Sequence, residues 1–116
     1  MQGKRLDRVN QLIKEEVSML LQRELKDPRL GFVTVTEVET SKDLRSAKIF
    51  VSVLGDDAQW KASLAALESA RGFVRNWLRQ HLELRVTPEL DFRPDHSLEH
   101  AARIQSLLKQ VRAPGS

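Results

Sequence analysis

At Gly31 the hydrophobic period of this chain changes from that of a helix to that of a strand, and this change limits the possible folds more than any other feature. Before it, Leu6, Val9, Leu12, Ile13, Val17, Leu20 and Leu21 recur at helical spacing and make one apolar stripe. Arg5, Asp7, Arg8, Lys14, Glu15, Glu16 and Arg23 fill the remaining sides. The pattern predicts a helix over residues 5–26, ended by Asp27-Pro28 because the residue before a proline is pushed out of the α region. After Gly31, residues 32–38 are dense in β-branched side chains and read as a strand. Ser41-Lys42-Asp43 is turn chemistry. Ala47, Ile49, Val51 and Val53 then alternate with Lys48, Phe50 and Ser52 as a second, half-buried strand. The short connection favours an antiparallel hairpin.

Gly55-Asp56-Asp57 stops the strand and supplies a cap for a helix. Trp60, Leu64 and Leu67 mark that helix, which ends near Ala70; Gly72 interrupts it, and Phe73, Val74, Trp77, Leu78 and Leu82 resume the spacing. Residues 84–92 look like a third strand, placed at an edge or bulged at Pro88, which cannot donate to a ladder. Asp95 or Ser97 caps a last helix with the stripe Leu98, Ala101, Ile104, Leu108, Val111. The order α-β-β-α-α-β-α, with three strands in a mixed sheet and helices on one face, defines a two-layer α+β domain. Its middle has the element order of a type-II KH domain, which clamps single-stranded nucleic acid. That clamp uses a Gly-x-x-Gly loop, and no two glycines here stand three apart.

A chain of 116 residues suits one domain, expected over residues 1–112 with a flexible carboxyl end at 113–116. The absence of Cys removes disulfides, thiolate metal sites and cysteine nucleophiles, and fits a reducing cytosol. No apolar run is long enough to cross a bilayer, and the amino terminus is charged from the start, so a soluble, cytoplasmic protein is expected. No catalytic triad, phosphate loop or dinucleotide fingerprint occurs, so neither an enzyme nor a cofactor or small-molecule substrate is expected. His96 and His100 stand four apart beside Asp95 and Glu99, but nothing distant completes a metal site, and capping explains Asp95 and Ser97.

A net charge of +3 tilts the partner toward an anion, and the placement of the cations sharpens that tilt. Arg71, Arg75 and Arg79 share one helix face, Arg85 comes next, and Glu83 is the sole acid from residue 71 to 85. The planar guanidinium fork suits phosphate, though most charge stripes are simply solvated helix faces. Lys4, Arg5 and Arg8 form a second basic group, and Lys42, Arg45 and Lys48 a third. Trp60 and Trp77 fall on apolar stripes and read as packing residues, which leaves Phe50 as the better stacking candidate. Gly72 is either a bend shaping an RNA-facing surface or a joint supplying a backbone angle that other residues resist. Replacing Arg75 and Arg79 with Glu is expected to abolish binding to the anionic partner while thermal stability stays nearly unchanged.

Residues 5–9 (RLDRV), Asp27-Pro28-Arg29, the strand 33–38, Ser41-Lys42-Asp43-Leu44, Ala70-x-Gly72 with Phe73-Val74-Arg75, and residues 84–90 running into Phe92, Asp95 and Ser97 occur in one order along the chain. In that order the sequence resembles the ribosome-binding factor A family. The resemblance implies a type-II KH-like fold in which an Ala70-x-Gly72 kink replaces the glycine loop. It also implies binding to the small ribosomal subunit and its rRNA during late maturation, and a role in cold adaptation. Many members carry a longer basic tail, and this chain ends soon after its last helix. A monomer is expected, and the rival readings are a KH-like binder of free single-stranded RNA and a basic protein–protein adaptor.

Overall fold

The computed structural model describes residues 2–112; the carboxyl end expected at 113–116 lies outside the described residues. Helix α1 (Gln2–Arg23) buries Ile13, Val17, Leu20 and Leu21 from the predicted stripe, while Leu12 drifts outward. It stops before residue 26. The amides of Glu24 and Leu25 both reach back to the Leu20 carbonyl, at 2.9 and 3.0 Å, and the chain turns inward so that Leu25 and Leu30 pack on the core. Asp27 fixes that turn by accepting the Arg29 amide at 2.9 Å and its guanidinium at 2.8 Å. The hydrogen bond from Arg29 holds the Asp27 carboxyl below its ordinary range.

Strands β1 (Val33–Thr40) and β2 (Ser46–Val53) pair antiparallel, and β3 (Glu89–Pro94) joins β2 in parallel, giving a mixed sheet in the order β1-β2-β3. Val35 and Val38 are three apart, so a regular strand would point them to opposite faces. A bulge at Thr36, between the pairs Val35↔Val51 and Glu37↔Phe50, restores both to the core face, where each is 4% exposed. The bulge has a second effect. The Thr36 hydroxyl donates to the Asp95 carboxylate at 2.6 Å, and Asp95 also accepts the Ser97 amide at 2.9 Å. These bonds, the Thr36 hydroxyl first, lower the Asp95 pKa.

Helix α2 (Asp57–His81) starts on a complete capping box: Asp56 accepts the Gln59 amide at 2.9 Å, and the Gln59 side chain accepts the Asp56 amide at 2.7 Å. The two helical pieces expected on either side of Gly72 run together as this one element. Ala70 faces the core at 7% exposure, and Gly72 faces outward. Trp60 is buried and Trp77 half-buried, with the Trp77 indole donating to Glu16 of α1 at 2.8 Å, so both serve packing. Helices α1 and α2 form the layer over one sheet face.

The third strand begins at Glu89 rather than at residue 84, because the carbonyls of Thr87 and Pro88 are taken by the Arg75 guanidinium at 3.0 and 3.1 Å. Pro88 is buried just ahead of β3, which is an edge strand as a neighbouring proline requires. Helix α3 (Ser97–Arg112) departs from expectation more. Leu98, Ile104, Leu108 and Val111 of its stripe are each at least half exposed, so α3 is not part of the covering layer. It is attached at its start, where His96 stacks on Trp60 at 4.1 Å and the Trp60 indole donates to Glu99 at 2.9 Å. The radius of gyration is accordingly 16.9 Å, against ~13 Å for a compact chain of this length.

Candidate nucleic-acid interface

The three arginines read as one stripe have three different surroundings. Arg71 pairs with Glu68 at 3.1 Å, within α2. Arg75 is a staple: besides the two loop carbonyls it lies 3.6 Å from Glu89, so it ties residues 87–89 to the helix. Its replacement therefore carries a structural cost, contrary to the expectation for a surface cation. Arg79 bonds to Asn76 and has no carboxylate partner among the described residues.

The loop that Arg75 holds down creates concave surface on both of its sides. On one side Gly72, Arg75, Asn76 and Arg79 of α2 face Val86 and Thr87 across a groove of about 440 Å³. Gly72 is the open floor of this groove. A methyl group built on it meets nothing within 4 Å, and its φ is not in the left-handed region. The backbone-angle explanation of this glycine therefore falls, and what Gly72 supplies is close access to the helix backbone.

On the other side of the loop, Arg85 and Val86 meet Arg5 and Leu6 of α1 and Lys42, Asp43 and Leu44 of the β1–β2 turn. One member each of the three basic groups thus comes to one place, and Val86 lines both hollows. Arg5, Lys42 and Arg85 have no carboxylate partner among the described residues. Lys4 and Arg8 are exposed on α1 but line neither hollow. Within the turn, Asp43 accepts the Ser41 hydroxyl at 2.7 Å and the Arg45 amide at 3.1 Å, and these bonds, the hydroxyl first, lower its pKa. Leu44 sits at φ 63, a left-handed backbone that costs a leucine about 1–2 kcal/mol.

Sequence reasoning missed the meeting of Lys42 with Arg5 and Arg85, since these residues are joined only by the return of loop 82–88. It also missed the bulge, although the phase slip between Val35 and Val38 could have found it. Phe50, the favoured stacking candidate, is half-buried on the sheet, away from both hollows. His96 is engaged with Trp60 and Glu99, and no three metal-ligating side chains converge among the described residues. None of the described helices is long and apolar enough to cross a membrane.

A family model described as ribosome-binding factor A matches residues 5–108. The chain is similar to ribosome-binding factor A of Halothermothrix orenii, with 48% identity over 97% of this chain and 92% of that protein. Its counterpart in Desulfitobacterium hafniense is 51% identical over 93% and 86%. Among solved structures, the crystal structure of ribosome-binding factor A from Thermus thermophilus superposes with a TM-score of 0.69 at 27% identity, over 77% of this chain and 94% of that one. A homology model of the Thermus thermophilus factor, fitted into a cryo-electron-microscopy map of its complex with the 30S subunit, gives 0.63 at 28% identity, over 74% and 90%.

Proposed function

The chain belongs to the ribosome-binding factor A family, and from that premise we propose that it is a non-enzymatic assembly factor acting in the cytoplasm. It binds the immature small ribosomal subunit through its rRNA and favours the arrangement reached late in maturation. The observation that carries this reading is the groove floored by Gly72 and edged by Arg75 and Arg79. A helix without a side chain at that point admits a sugar–phosphate backbone close to its axis, and the Arg79 guanidinium stands where a phosphate passes. Lys4, Arg5, Arg8, Arg71 and Arg85 add positive field around it. Such binding acts by selection: rRNA is shifted toward the conformation that the protein holds more tightly.

The test is sedimentation of the protein with small subunits through sucrose gradients at increasing salt. The wild type is expected to co-sediment and to be released steeply by salt, because each phosphate contact releases counterions. The double variant Arg79→Glu, Arg85→Glu is expected to stay at the top of the gradient while remaining folded, since neither side chain holds a carboxylate among the described residues. Retention of the folded double variant on the subunit at all salt concentrations would remove this face from the contact.

A further inference from the structure

The hollow on the α1 side of loop 82–88 differs in chemistry from the groove over Gly72. Its polar lining is three cations against one carboxylate, and its apolar lining is Leu6, Leu44 and Val86. Asp43 keeps its charge, since the Ser41 hydroxyl and the Arg45 amide that bond to it favour the ionised form, but one carboxylate against three cations leaves the lining with a positive excess. Four other arginines are paired, Arg29 with Asp27, Arg71 with Glu68, Arg75 with Glu89 and Arg93 with Asp91, whereas the three cations of this hollow, like Arg79, have no carboxylate partner among the described residues. Arg5, Lys42 and Arg85 come from three separate segments and converge on one rim.

The size of the hollow narrows the ligand. About 240 Å³ is below the roughly 300–1,000 Å³ typical of small-molecule sites, a size suited to one flat ring. Three of the seven lining residues, Leu6, Leu44 and Val86, are branched aliphatic and offer contact to the faces of a ring. Leu44 lines this hollow from a left-handed backbone that Asn or Gly adopts more readily, so its side chain has a use there that local turn geometry does not supply.

We infer that this pocket receives one unstacked nucleotide of a single-stranded RNA segment, its ring between Leu6, Leu44 and Val86 and its phosphate on Arg5, Lys42 and Arg85. The inference rests on the RNA-binding reading above and adds to it a contact with a base. Unpaired bases splayed from the backbone are what proteins commonly grip in RNA. Its apolar side chains make the pocket tolerant of base identity, and the three cations make it demand a phosphate. Val86 joins the pocket to the groove, so a strand lying over Gly72 turns one base inward as it passes the loop.

The test is titration of the full chain, with carbon-13-labelled Leu and Val methyls and nitrogen-15-labelled backbone, by four probes: inorganic phosphate, a nucleoside monophosphate, a short single-stranded RNA, and the same RNA with abasic positions. The methyls of Leu6, Leu44 and Val86 are expected to shift with the monophosphate and the RNA but not with phosphate alone. Abasic RNA is expected to bind about tenfold more weakly. Leu44→Asn keeps the turn in a conformation Asn tolerates, so its thermal midpoint is expected not to fall while it loses affinity for intact RNA and none for abasic RNA. Three results overturn the inference: equal binding of intact and abasic RNA, an equal methyl response to bare phosphate, or unchanged affinity in a folded Leu44→Asn. If RNA moves the Gly72 amide but not these methyls, the interface stands and the nucleotide pocket falls; if it moves neither, both fall.

Discussion

Replacing Gly72 with Ala separates what the fold needs at this position from what a ligand needs. Glycine inside a helix is about 1 kcal/mol less favourable than alanine, because the unfolded chain loses more freedom. Two circumstances cancel such a gain, namely a left-handed backbone or a neighbour in the path of the new methyl. Neither holds at Gly72, whose φ is helical and whose absent Cβ would meet nothing within 4 Å. Gly72→Ala is therefore expected to stabilise the protein by about 1 kcal/mol, raising the thermal midpoint by roughly 3–6 °C for a chain of this size. Circular dichroism during heating and urea titration reads the change, with the slope of the urea transition unaltered. The same methyl stands in the groove that Arg79 also lines, so binding to the small subunit is expected to weaken as stability rises. A lowered midpoint would show that the fold itself requires glycine. A raised midpoint with undiminished binding would show that nothing approaches the helix there.

Gly55→Ala should act in the opposite sense. Gly55 has φ 149, and a Cβ on it would run into the Gln59 side chain that completes the cap of α2; denaturation should show a loss of about 1–2 kcal/mol, and an unchanged midpoint would contradict the capping geometry. Arg75→Ala strands the carbonyls of Thr87 and Pro88, so a loss of about 1–2 kcal/mol is expected along with faster amide exchange in residues 82–90, whereas Arg79→Ala should leave both readings near wild type. For Asp95 the folded carboxyl has a pKa below its ordinary 3.8. Its contribution is therefore complete above that value and is lost as pH falls through the lower, folded one. The stability gap between wild type and Asp95→Ala, about 1 kcal/mol at neutral pH, should close in acid; a gap that persists when the carboxyl is protonated would rule out the charge as its source.

Periodicity made the secondary structure legible, because a helix or strand buries the face its spacing prescribes. The stripe through Ile13, Val17 and Leu20 and the alternation through Ile49 and Val51 are local patterns, and each became the buried face it predicted. Caps were equally legible, since Asp56 and Gln59 act within one turn of helix. The resemblance to a family was also in the sequence, being a matter of order along the chain. The apolar stripe of α3 was just as visible, yet burial needs an opposing surface, and the sheet face was already covered by α1 and α2.

The tertiary structure decided which charges are available. By spacing alone Arg71, Arg75 and Arg79 are equivalent; the structure pairs the first with Glu68 and commits the second to backbone carbonyls twelve and thirteen residues away. Arg5, Lys42 and Arg85 belong to three unrelated runs of sequence until loop 82–88 folds back over the hairpin turn. The reason is physical. Backbone hydrogen bonds and amphipathic spacing act over a few residues, so a sequence displays them directly, whereas the freedom of a guanidinium group depends on whatever distant acceptor the fold carries to it.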